Sequence, residues 1–547
     1  MGALRPVKRV GIVGALLLTL LIPAGILAYQ WRDMPHLGIW HDDAVYWISA
    51  KSLSTGGAYR LLNLAGAPPQ TKYPPLYPLL LSAVWRVNPQ FPGNAPLLMA
   101  LQWSMLPVLV VLLWLWFRRT GFGPPIAFAL TAVVTLCPMT TMFVTAPLTE
   151  APFLIAVLTV MLLIGDETTL TGRRALAAGV CAAAAVLIRT NGIVLALSIP
   201  LGCIWWGRSP ELRRGSTRHI GAMVLFLAPV LTAFAAWELW CARVRVPARS
   251  DILSYYTDYL GFYRHTFSLA GFPHRLWINS DGLLTSVTRL ILWSTTDAAA
   301  YRQLCWAVSI FIFAGWVKLF RRGHRVPVLF AALFSLLLLI WNFPPDQRFV
   351  YPLLPFAAAG LAIQILKLMA KVRAEWRSLR TSNRIAAAIM TGAVATFLVT
   401  VTVLDAVAYR DTLPSWFASQ RTRSADMRAT CAWIARNTPS QAVVAAYDDP
   451  LLYLYTGRRS TSVAIMPALV YEGNDTALAA YVRDNVRQWT SGNVEYVLTT
   501  QYDFSREFQD VARRAELSQL KTQWAPLSVG DGATVWTRRP VTIATGF

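Results

Sequence analysis

Acidic residues are scarce in this sequence. Asp and Glu account for only 28 of its 547 residues, against 50 for Lys and Arg, and charged residues together make up 14%. A soluble domain carries about 25% charged residues, so this composition argues against a chain that is soluble throughout. The excess of positive charge would also suit a nucleic-acid partner. However, most Lys and Arg residues lie in short loops between apolar runs, where they orient membrane helices, and we expect no nucleic acid.

Cysteine and histidine are equally rare, with six residues of each. The cysteines show no paired spacing and lie mostly in or beside apolar runs, which gives neither a metal motif nor a disulfide framework. No cluster of His and Cys has the ligand spacing of a zinc site. The sequence therefore gives no sign of a zinc site.

Apolar residues, in contrast, make up 55% of the sequence. They fall into runs of roughly 18 to 24 residues, the length of a helix that spans about 30 Å of hydrocarbon. The sequence therefore predicts a polytopic α-helical membrane protein, because only helices satisfy their backbone groups within each such segment. We count eleven spans, at approximately 10–29, 95–117, 125–147, 151–165, 174–189, 192–207, 219–241, 302–319, 326–342, 349–370 and 384–405.

Charge in the loops predicts the orientation. Arg5, Lys8 and Arg9 precede the first run, which is long for a signal peptide and is interpreted as a retained helix with a cytoplasmic N-terminus. Basic residues recur in the loops predicted to be inside, for example Arg118–Arg119 and Arg321–Arg322, as the positive-inside rule requires. An odd number of spans places the C-terminus outside, and we expect a bacterial inner membrane with a periplasmic tail.

The polar segments divide the chain into two predicted domains. Residues 1–405 form a transmembrane domain with outer loops at 30–94 and 243–300. Within the first of these loops, 74–87 is a short interfacial or re-entrant helix. Residues 406–547 form a small periplasmic α/β domain. Within it the sequence predicts helices at 425–437, 477–489 and 503–520 and strands at 442–446 and 494–498.

The first outer loop contains the most informative stretch, His41-Asp42-Asp43-Ala44-Val45-Tyr46. Two adjacent carboxylates open a segment with helical spacing, and Tyr46 lies one turn beyond Asp42. One interpretation is helix capping, because Asp is favoured at a helix N-terminus. The other is that a carboxylate here acts as a general base close to the membrane surface.

Other charged residues are predicted at the same outer face. Lys72 precedes the apolar helix that begins at Pro74, where it either snorkels at the interface or binds the phosphate of a lipid. Glu150 lies in the turn between two spans, as an exposed loop acid or a site residue. Arg189 and Arg348 lie at the outer ends of spans, where a charge usually has a partner or a function.

This pattern resembles the GT-C glycosyltransferases, in particular the protein O-mannosyltransferases and the lipid A aminoarabinose transferases. The features that carry it are the acidic pair followed by a Tyr, and Lys-Tyr-Pro-Pro heading an apolar helix about 30 residues later. The resemblance covers roughly residues 1–405 and is most specific over 40–80. It implies a GT-C-like fold with a sugar donor linked to polyprenyl phosphate, used on the outer face for building cell-envelope glycan.

The resemblance also implies roles for individual residues. Asp42 matches the first acid of the family's pair, which acts as general base, and Lys72 matches the lysine that holds the lipid phosphate. Glu150 matches the acid after the third span, and Arg189 a basic residue at the equivalent turn. The sequence departs from the pattern at Tyr73, which separates Lys72 from the prolines, and at the second acid, where Glu is common.

The implied reaction is an inverting displacement by a hexosyl or pentosyl transferase. Asp42 takes the proton of an acceptor hydroxyl on a glycolipid, glycan or protein, and Lys72, helped by Arg189 or Arg348, stabilises the departing polyprenyl phosphate. The remaining candidates are two further catalytic acids and three residues without an assigned role: Asp43, Glu150, His41, Tyr46 and Tyr351. A divalent cation on Asp42, Asp43 and Glu150 is the alternative to a cofactor-free reaction.

Two other classes of protein remain as alternatives. A transporter or flippase of lipid-linked saccharides would keep charges and broken helices near the midplane, often with internal repeats. A membrane-anchored binding protein would act through its C-terminal domain. In that domain Asp448-Asp449-Pro450 is either a site or, as we favour, an acidic turn before a helix.

Overall fold

A computed structural model describes residues 6–56, 58–165, 171–206, 216–246, 251–267, 269–294, 296–377, 381–463, 465–466, 469, 471, 473–504, 508–530 and 532–538. The helices in chain order are α1 (Pro6–Thr19), α2 (Ile22–Gln30), α3 (Asp42–Ser54), α4 (Leu76–Val87), α5 (Ala95–Trp103), α6 (Met105–Arg119), α7 (Pro124–Leu136), α8 (Pro138–Thr145), α9 (Glu150–Ile164), α10 (Gly172–Ile188), α11 (Val194–Trp206), α12 (Ser216–Val244), α13 (Asp251–Thr257), α14 (Tyr259–Thr266), α15 (Phe272–Arg289), α16 (Ala299–Arg321), α17 (Arg325–Leu339), α18 (Gln347–Val350), α19 (Leu354–Trp376), α20 (Thr381–Val407), α21 (Leu413–Asn437), α22 (Asp449–Thr456), α23 (Asp475–Ser491) and α24 (Gln509–Gln523). The strands are β1 (Val443–Ala446), β2 (Arg459–Ser462), β3 (Tyr496–Thr500), β4 (Trp524–Gly530) and β5 (Ala533–Arg538).

Six helical segments among the described residues are long and apolar enough to cross a membrane: Val13–Gln30, Ala95–Arg119, Ile220–Val244, Ala299–Arg321, Gln347–Trp376 and Thr381–Asn437. A seventh candidate is the pair α7 and α8, which the sequence predicts as one straight span. The pair bends by 57° where Pro138 opens α8, because a proline ring cannot continue the preceding helix. The chain is a multi-pass membrane protein, as predicted. The count of eleven stays a prediction, since several predicted spans, such as α9 and α17, are shorter helices.

The chain forms two compact units, each drawn from three segments. The first, here called the helical unit, comprises Met1–Arg32, Met99–Glu238 and Pro273–Phe417. The second, here called the mixed unit, comprises Asp33–Leu98, Leu239–Phe272 and Ala418–Phe547. The first outer loop and about half of the second thus belong to the same unit as the C-terminal tail.

Close helix crossings hold the helical unit together. Helices α16 and α19 meet at Gly315 and Gly360, where a Cβ on either glycine would collide with the backbone of the other helix. The indole of Trp316 donates to the carbonyl of Phe356 at 2.8 Å beside this crossing. Small residues here are therefore a requirement of packing, as is common where membrane helices approach closely.

A five-stranded sheet of order β2-β1-β3-β5-β4 forms the centre of the mixed unit. Strands β1, β2 and β3 are parallel, while β5 is antiparallel to both β3 and β4. The apolar faces of α23 and α24 cover the sheet, with Val482, Val486 and Trp524 in the core. The tail is thus a small α/β fold, as predicted.

The first outer loop extends this sheet. The backbone N–H of Ser460 in β2 donates to the carbonyl of Asn63 at 2.7 Å, and the N–H of Ala65 donates to the carbonyl of Ser460 at 3.1 Å. These bonds satisfy an edge strand that would otherwise expose its backbone. They explain why residues 33–98 share a unit with the tail.

The predicted domain boundary at 405/406 falls inside a continuous helical segment, Thr381–Asn437. A short π-helical turn at Ala408–Thr412 joins α20 to α21 without a linker. The apolar run ends near 405, which is why the sequence suggested a boundary there, but helical hydrogen bonding continues into the polar residues. The change of unit comes later, after Phe417.

Candidate active site

The start of α3 is shaped by Asp43, which is fully buried. Its Oδ1 accepts the backbone N–H groups of Gly38 at 3.1 Å and Ala44 at 2.7 Å. Its Oδ2 accepts those of Ile39 at 2.9 Å and Trp40 at 3.3 Å. One carboxylate therefore closes the turn that leads into the helix. This geometry favours a structural role for Asp43, whereas its predicted catalytic role stays a prediction.

Asp42 has different surroundings, although it is the adjacent residue. Its side chain is 23% exposed, and its Oδ1 accepts a hydrogen bond from the hydroxyl of Tyr73 and lies 3.6 Å from the Nζ of Lys72. Burial, followed by the charge of Asp42, raises the pKa of Tyr73, so that hydroxyl keeps its proton. The acid and the lysine that the sequence singles out are thus in contact.

Aromatic rings surround the ammonium group of Lys72, whose side chain is only 6% exposed. The Nζ lies 3.7 Å from the ring centroid of Tyr255, 4.7 Å from that of Tyr73 and 5.0 Å from that of Tyr256. Cation–π attraction stabilises an ammonium group in such a position without neutralising it. The ammonium group of Lys72 is therefore enclosed by protein side chains.

The two tyrosines from α13 are the residues that sequence reasoning missed. They lie in the second outer loop, and the hydroxyl of Thr71 donates to the carbonyl of Tyr256 at 3.2 Å, which ties that loop to the residue before Lys72. The sequence feature that could have pointed to them is the pair of adjacent tyrosines, Tyr255-Tyr256, in a loop predicted to be outside. Tyr46, by contrast, is buried and packs against Tyr73 with ring centroids 4.5 Å apart. It therefore stabilises the position of the Tyr73 ring.

His41 precedes the acidic pair and has a backbone φ of 61°. Residues other than glycine rarely adopt this left-handed conformation. Strain of this kind is typical of functional sites when the surroundings hold it in place. The Nε2 of His41 lies 3.0 Å from Oδ1 of Asp449, and the Nδ2 of Asn63 donates to Oδ2 of Asp449 at 2.5 Å. Asp449, which the sequence favours as part of a plain acidic turn, therefore contacts the candidate site.

A second cluster lies in the helical unit and is centred on Glu150. This carboxylate is fully buried, so the interpretation as an exposed loop acid is wrong. Its Oε1 lies 2.6 Å from Arg189 Nη1 and 2.6 Å from Arg348 Nε. Three residues distant in sequence thus form one ion-pair cluster.

Tyr351 is the last of the predicted site residues. It follows Arg348 by three positions in the sequence, and its side chain is buried. Its hydroxyl lies 3.1 Å from the Oγ1 of Thr140, and its ring packs edge-on against Phe143. Asp346 caps the short helix α18 by accepting the N–H groups of Arg348 and Phe349. These contacts fix the segment that carries Arg348.

The structure therefore assembles the predicted residues into two groups, one in each unit. The mixed unit contains His41, Asp42, Asp43, Tyr46 and Lys72, and the helical unit contains Glu150, Arg189, Arg348 and Tyr351. Among the described residues, no three His, Cys, Asp or Glu side chains come together as a metal site would need. The cofactor-free reaction and its alternative, a divalent cation on Asp42, Asp43 and Glu150, stay predictions.

The fold that carries these groups is that of the GT-C membrane glycosyltransferases. The crystal structure of ArnT from Cupriavidus metallidurans bound to undecaprenyl phosphate matches with a TM-score of 0.53 at 14% identity, over 98% of this chain and 99% of that one. The Archaeoglobus fulgidus oligosaccharyltransferase tethered with an acceptor peptide matches with a TM-score of 0.50 at 12% identity, over 96% of this chain and 75% of that one. Comparison of the sequence with family models and with curated proteins gives no match. At these identities the similarity shows the fold alone, and the reaction has to be inferred from the residues of the site.

Proposed function

We propose that this protein is a membrane glycosyltransferase that moves a sugar from a polyprenyl-phosphate donor to an acceptor hydroxyl. The observation that carries the proposal is the contact between Asp42 and Lys72 in a GT-C fold: a partly exposed carboxylate 3.6 Å from a buried ammonium group. The ArnT structure whose fold this chain shares contains undecaprenyl phosphate, the same class of lipid phosphate. A carboxylate can accept a proton while the adjacent cation meets a phosphate.

The proposed reaction is a single displacement with inversion. Asp42 takes the proton of the acceptor hydroxyl, whose oxygen attacks the anomeric carbon. The bond from that carbon to the phosphate oxygen breaks, and its electron pair leaves with the polyprenyl phosphate. Lys72 offsets the negative charge that develops on the phosphate, and its aromatic surroundings keep the ammonium group in position before the donor arrives. No step requires a metal ion or organic cofactor, and full activity in excess chelator is the expected result.

The neighbouring residues orient this pair in the proposal. Tyr73 donates its hydroxyl to Asp42 and lines Lys72, so it fixes the two relative to each other. Asp43 holds the turn from which Asp42 projects. In the helical unit, Glu150 pairs with Arg189 and Arg348 through Oε1, and its predicted role as a catalytic acid stays a prediction. The phosphate-binding roles of these two arginines stay predictions, which Arg189→Gln and Arg348→Gln variants test.

The first experiment measures sugar transfer by the purified full-length protein. Wild type, Asp42→Asn and the control Asp484→Asn, which removes an exposed carboxylate from α23, are assayed at equal abundance with polyprenyl-phosphate-linked sugars and membrane extracts. Mass spectrometry identifies the product and its acceptor, while the anomeric configuration of the product reports inversion. Loss of a positioned general base typically costs about 10²–10⁴-fold in rate. We expect that loss for Asp42→Asn only.

The outcomes separate the candidate functions. A new glycosidic bond that depends on Asp42 supports the transferase, and its mass identifies the sugar. Lipid-linked sugar that crosses the bilayer without any new bond would instead indicate a flippase. Equal rates for wild type and Asp42→Asn would remove Asp42 from the mechanism and leave it as a residue of the helix start.

We further propose that the site faces the periplasm of a bacterial inner membrane, with the N-terminus in the cytoplasm. The support is the distribution of basic residues among the predicted loops. Fusion of alkaline phosphatase to the C-terminus tests this orientation, because the enzyme is active only outside the cytoplasm. An inactive fusion at normal abundance would reverse the proposed orientation.

A further inference from the structure

A contact between the first outer loop and the C-terminal tail brings a further titratable residue to the site. Asp449, at the start of α22, is only 1% exposed and contacts His41 through one oxygen and Asn63 through the other. The hydrogen bond from Asn63 fixes the carboxylate and leaves its other oxygen directed at the imidazole. Such a pairing holds the ring in one orientation and favours a proton on Nε2.

The charges around His41 favour its protonated form. Burial lowers the pKa of His41, but the hydrogen bond and charge of Asp449 and the charge of Asp42 outweigh that effect, so the pKa lies above its ordinary value. Lys72 acts in the opposite direction and is the weakest of the named influences. His41 is 23% exposed, so its proton can exchange with solvent.

His41 and Lys72 also approach the same aromatic ring. The imidazole centroid of His41 lies 5.9 Å from the ring centroid of Tyr256, and the Nζ of Lys72 lies 5.0 Å from that centroid. Two carboxylates, Asp449 beside His41 and Asp42 beside Lys72, lie in the same group of side chains. A positive charge on His41 reduces the repulsion that these carboxylates exert on an arriving phosphate.

We propose that His41 is a second cationic residue for the donor phosphate and that Asp449, from the C-terminal tail, is the positioning residue that keeps it oriented and charged. This inference rests on the proposed glycosyltransferase function. It gives the tail a direct part in donor binding. It also predicts that donor affinity is high at low pH, where His41 is protonated, and falls as the pH rises through the pKa of His41.

The experiment measures binding of undecaprenyl methyl phosphate to the full-length protein in nanodiscs between pH 5 and pH 9. This probe is a phosphodiester, as the donor is, and its single charge does not titrate in this range. Loss of one charge-assisted contact corresponds to about 10- to 100-fold in affinity. We expect the wild type to lose about that factor between the two ends of the range.

Three variants and a control locate the effect. His41→Gln should bind weakly at every pH, without the pH step, and His41→Lys should restore tight binding without the step. Asp449→Asn keeps a hydrogen-bond acceptor for the imidazole but removes the charge, so it should move the step to lower pH. Asp484→Asn, an exposed acid of the same unit, should behave as wild type.

The results distinguish this inference from the function on which it rests. A wild type that binds no probe at any pH would overturn the proposed function and the inference together. A wild type that binds, with the same pH step in His41→Gln or an unmoved step in Asp449→Asn, would overturn the inference alone. If the contact of Asp449 with the loop were purely structural, Asp449→Asn would lower the unfolding temperature without moving the pH at which binding weakens.

Discussion

The substitution Asp43→Asn should separate the two acids that adjoin each other in the sequence. Both oxygens of Asp43 accept two backbone N–H groups each, in a site with no exposure to solvent. An asparagine can keep only one of these oxygens. Whichever way its amide is turned, the NH₂ group faces two N–H donors, either the buried pair of Gly38 and Ala44 or the part-buried pair of Ile39 and Trp40. The substitution therefore loses two hydrogen bonds and leaves two donors unpaired.

The size of the effect follows from those two donors. An unpaired buried donor costs about 1–3 kcal/mol, so Asp43→Asn should destabilise the mixed unit by about 2–6 kcal/mol. For a unit of roughly 200 residues this corresponds to about 5–20 °C in Tm. Thermal unfolding of the purified protein, followed by tryptophan fluorescence, measures the shift. Asp42→Asn is the matched control, because it makes the same chemical change at the adjacent residue, which is partly exposed.

We expect opposite results from the two variants. Asp43→Asn should unfold at a lower temperature yet retain activity well below its Tm, whereas Asp42→Asn should unfold near the wild-type temperature and lose activity. The reasoning is refuted if Asp43→Asn unfolds with the wild type. If it also loses activity at that unchanged Tm, Asp43 takes part in the chemistry, as the sequence alone suggests.

Three further substitutions test separate contacts. Lys72→Gln should lower kcat by about 10²–10³-fold at an unchanged Tm, because an amide cannot offset the charge on the departing phosphate; a normal initial rate would contradict this role. Glu150→Gln should cost about 3–5 kcal/mol in the free energy of unfolding, since it removes the carboxylate charge that two largely buried guanidinium groups share. Glu375→Gln is its control, because this half-buried acid has no ion pair with any residue that the structure describes, and equal denaturation midpoints would refute the argument. Gly315→Ala should reduce the yield of monodisperse protein in size-exclusion chromatography, because its Cβ would meet the backbone of α19. Gly392→Ala, in open space on α20, should have no effect.

The sequence predicted the membrane architecture because apolar run length and basic loops act locally. It predicted parts of the tail for the same reason: β1 and α23 are strongly patterned. It missed β2, a polar strand of four residues whose pairing with the first outer loop no local pattern reveals. It also missed β4 and β5, although Asp531-Gly532 between them is a typical hairpin signal.

The sequence predicted the part of the candidate site whose residues lie close together in the chain. Asp42 and Lys72 come from one loop, and the resemblance to a known family paired them before the structure placed them in contact. Tyr256 and Asp449 join them through tertiary packing, which sequence spacing does not encode. The different surroundings of Asp42 and Asp43 were equally hidden, because they depend on how the backbone of residues 38–40 turns towards one carboxylate.

The contacts of Asp449 have a consequence for biosynthesis. It is 408 residues beyond His41 in the chain and 386 beyond Asn63. At about 5–20 residues per second, roughly 20–80 s pass between synthesis of the first outer loop and synthesis of its partner. During that interval the strained backbone at His41 and the open edge at residues 63–65 have no tail to hold them. The loop therefore reaches its final form only after synthesis has passed residue 449, which delays the onset of activity until the tail has begun to fold.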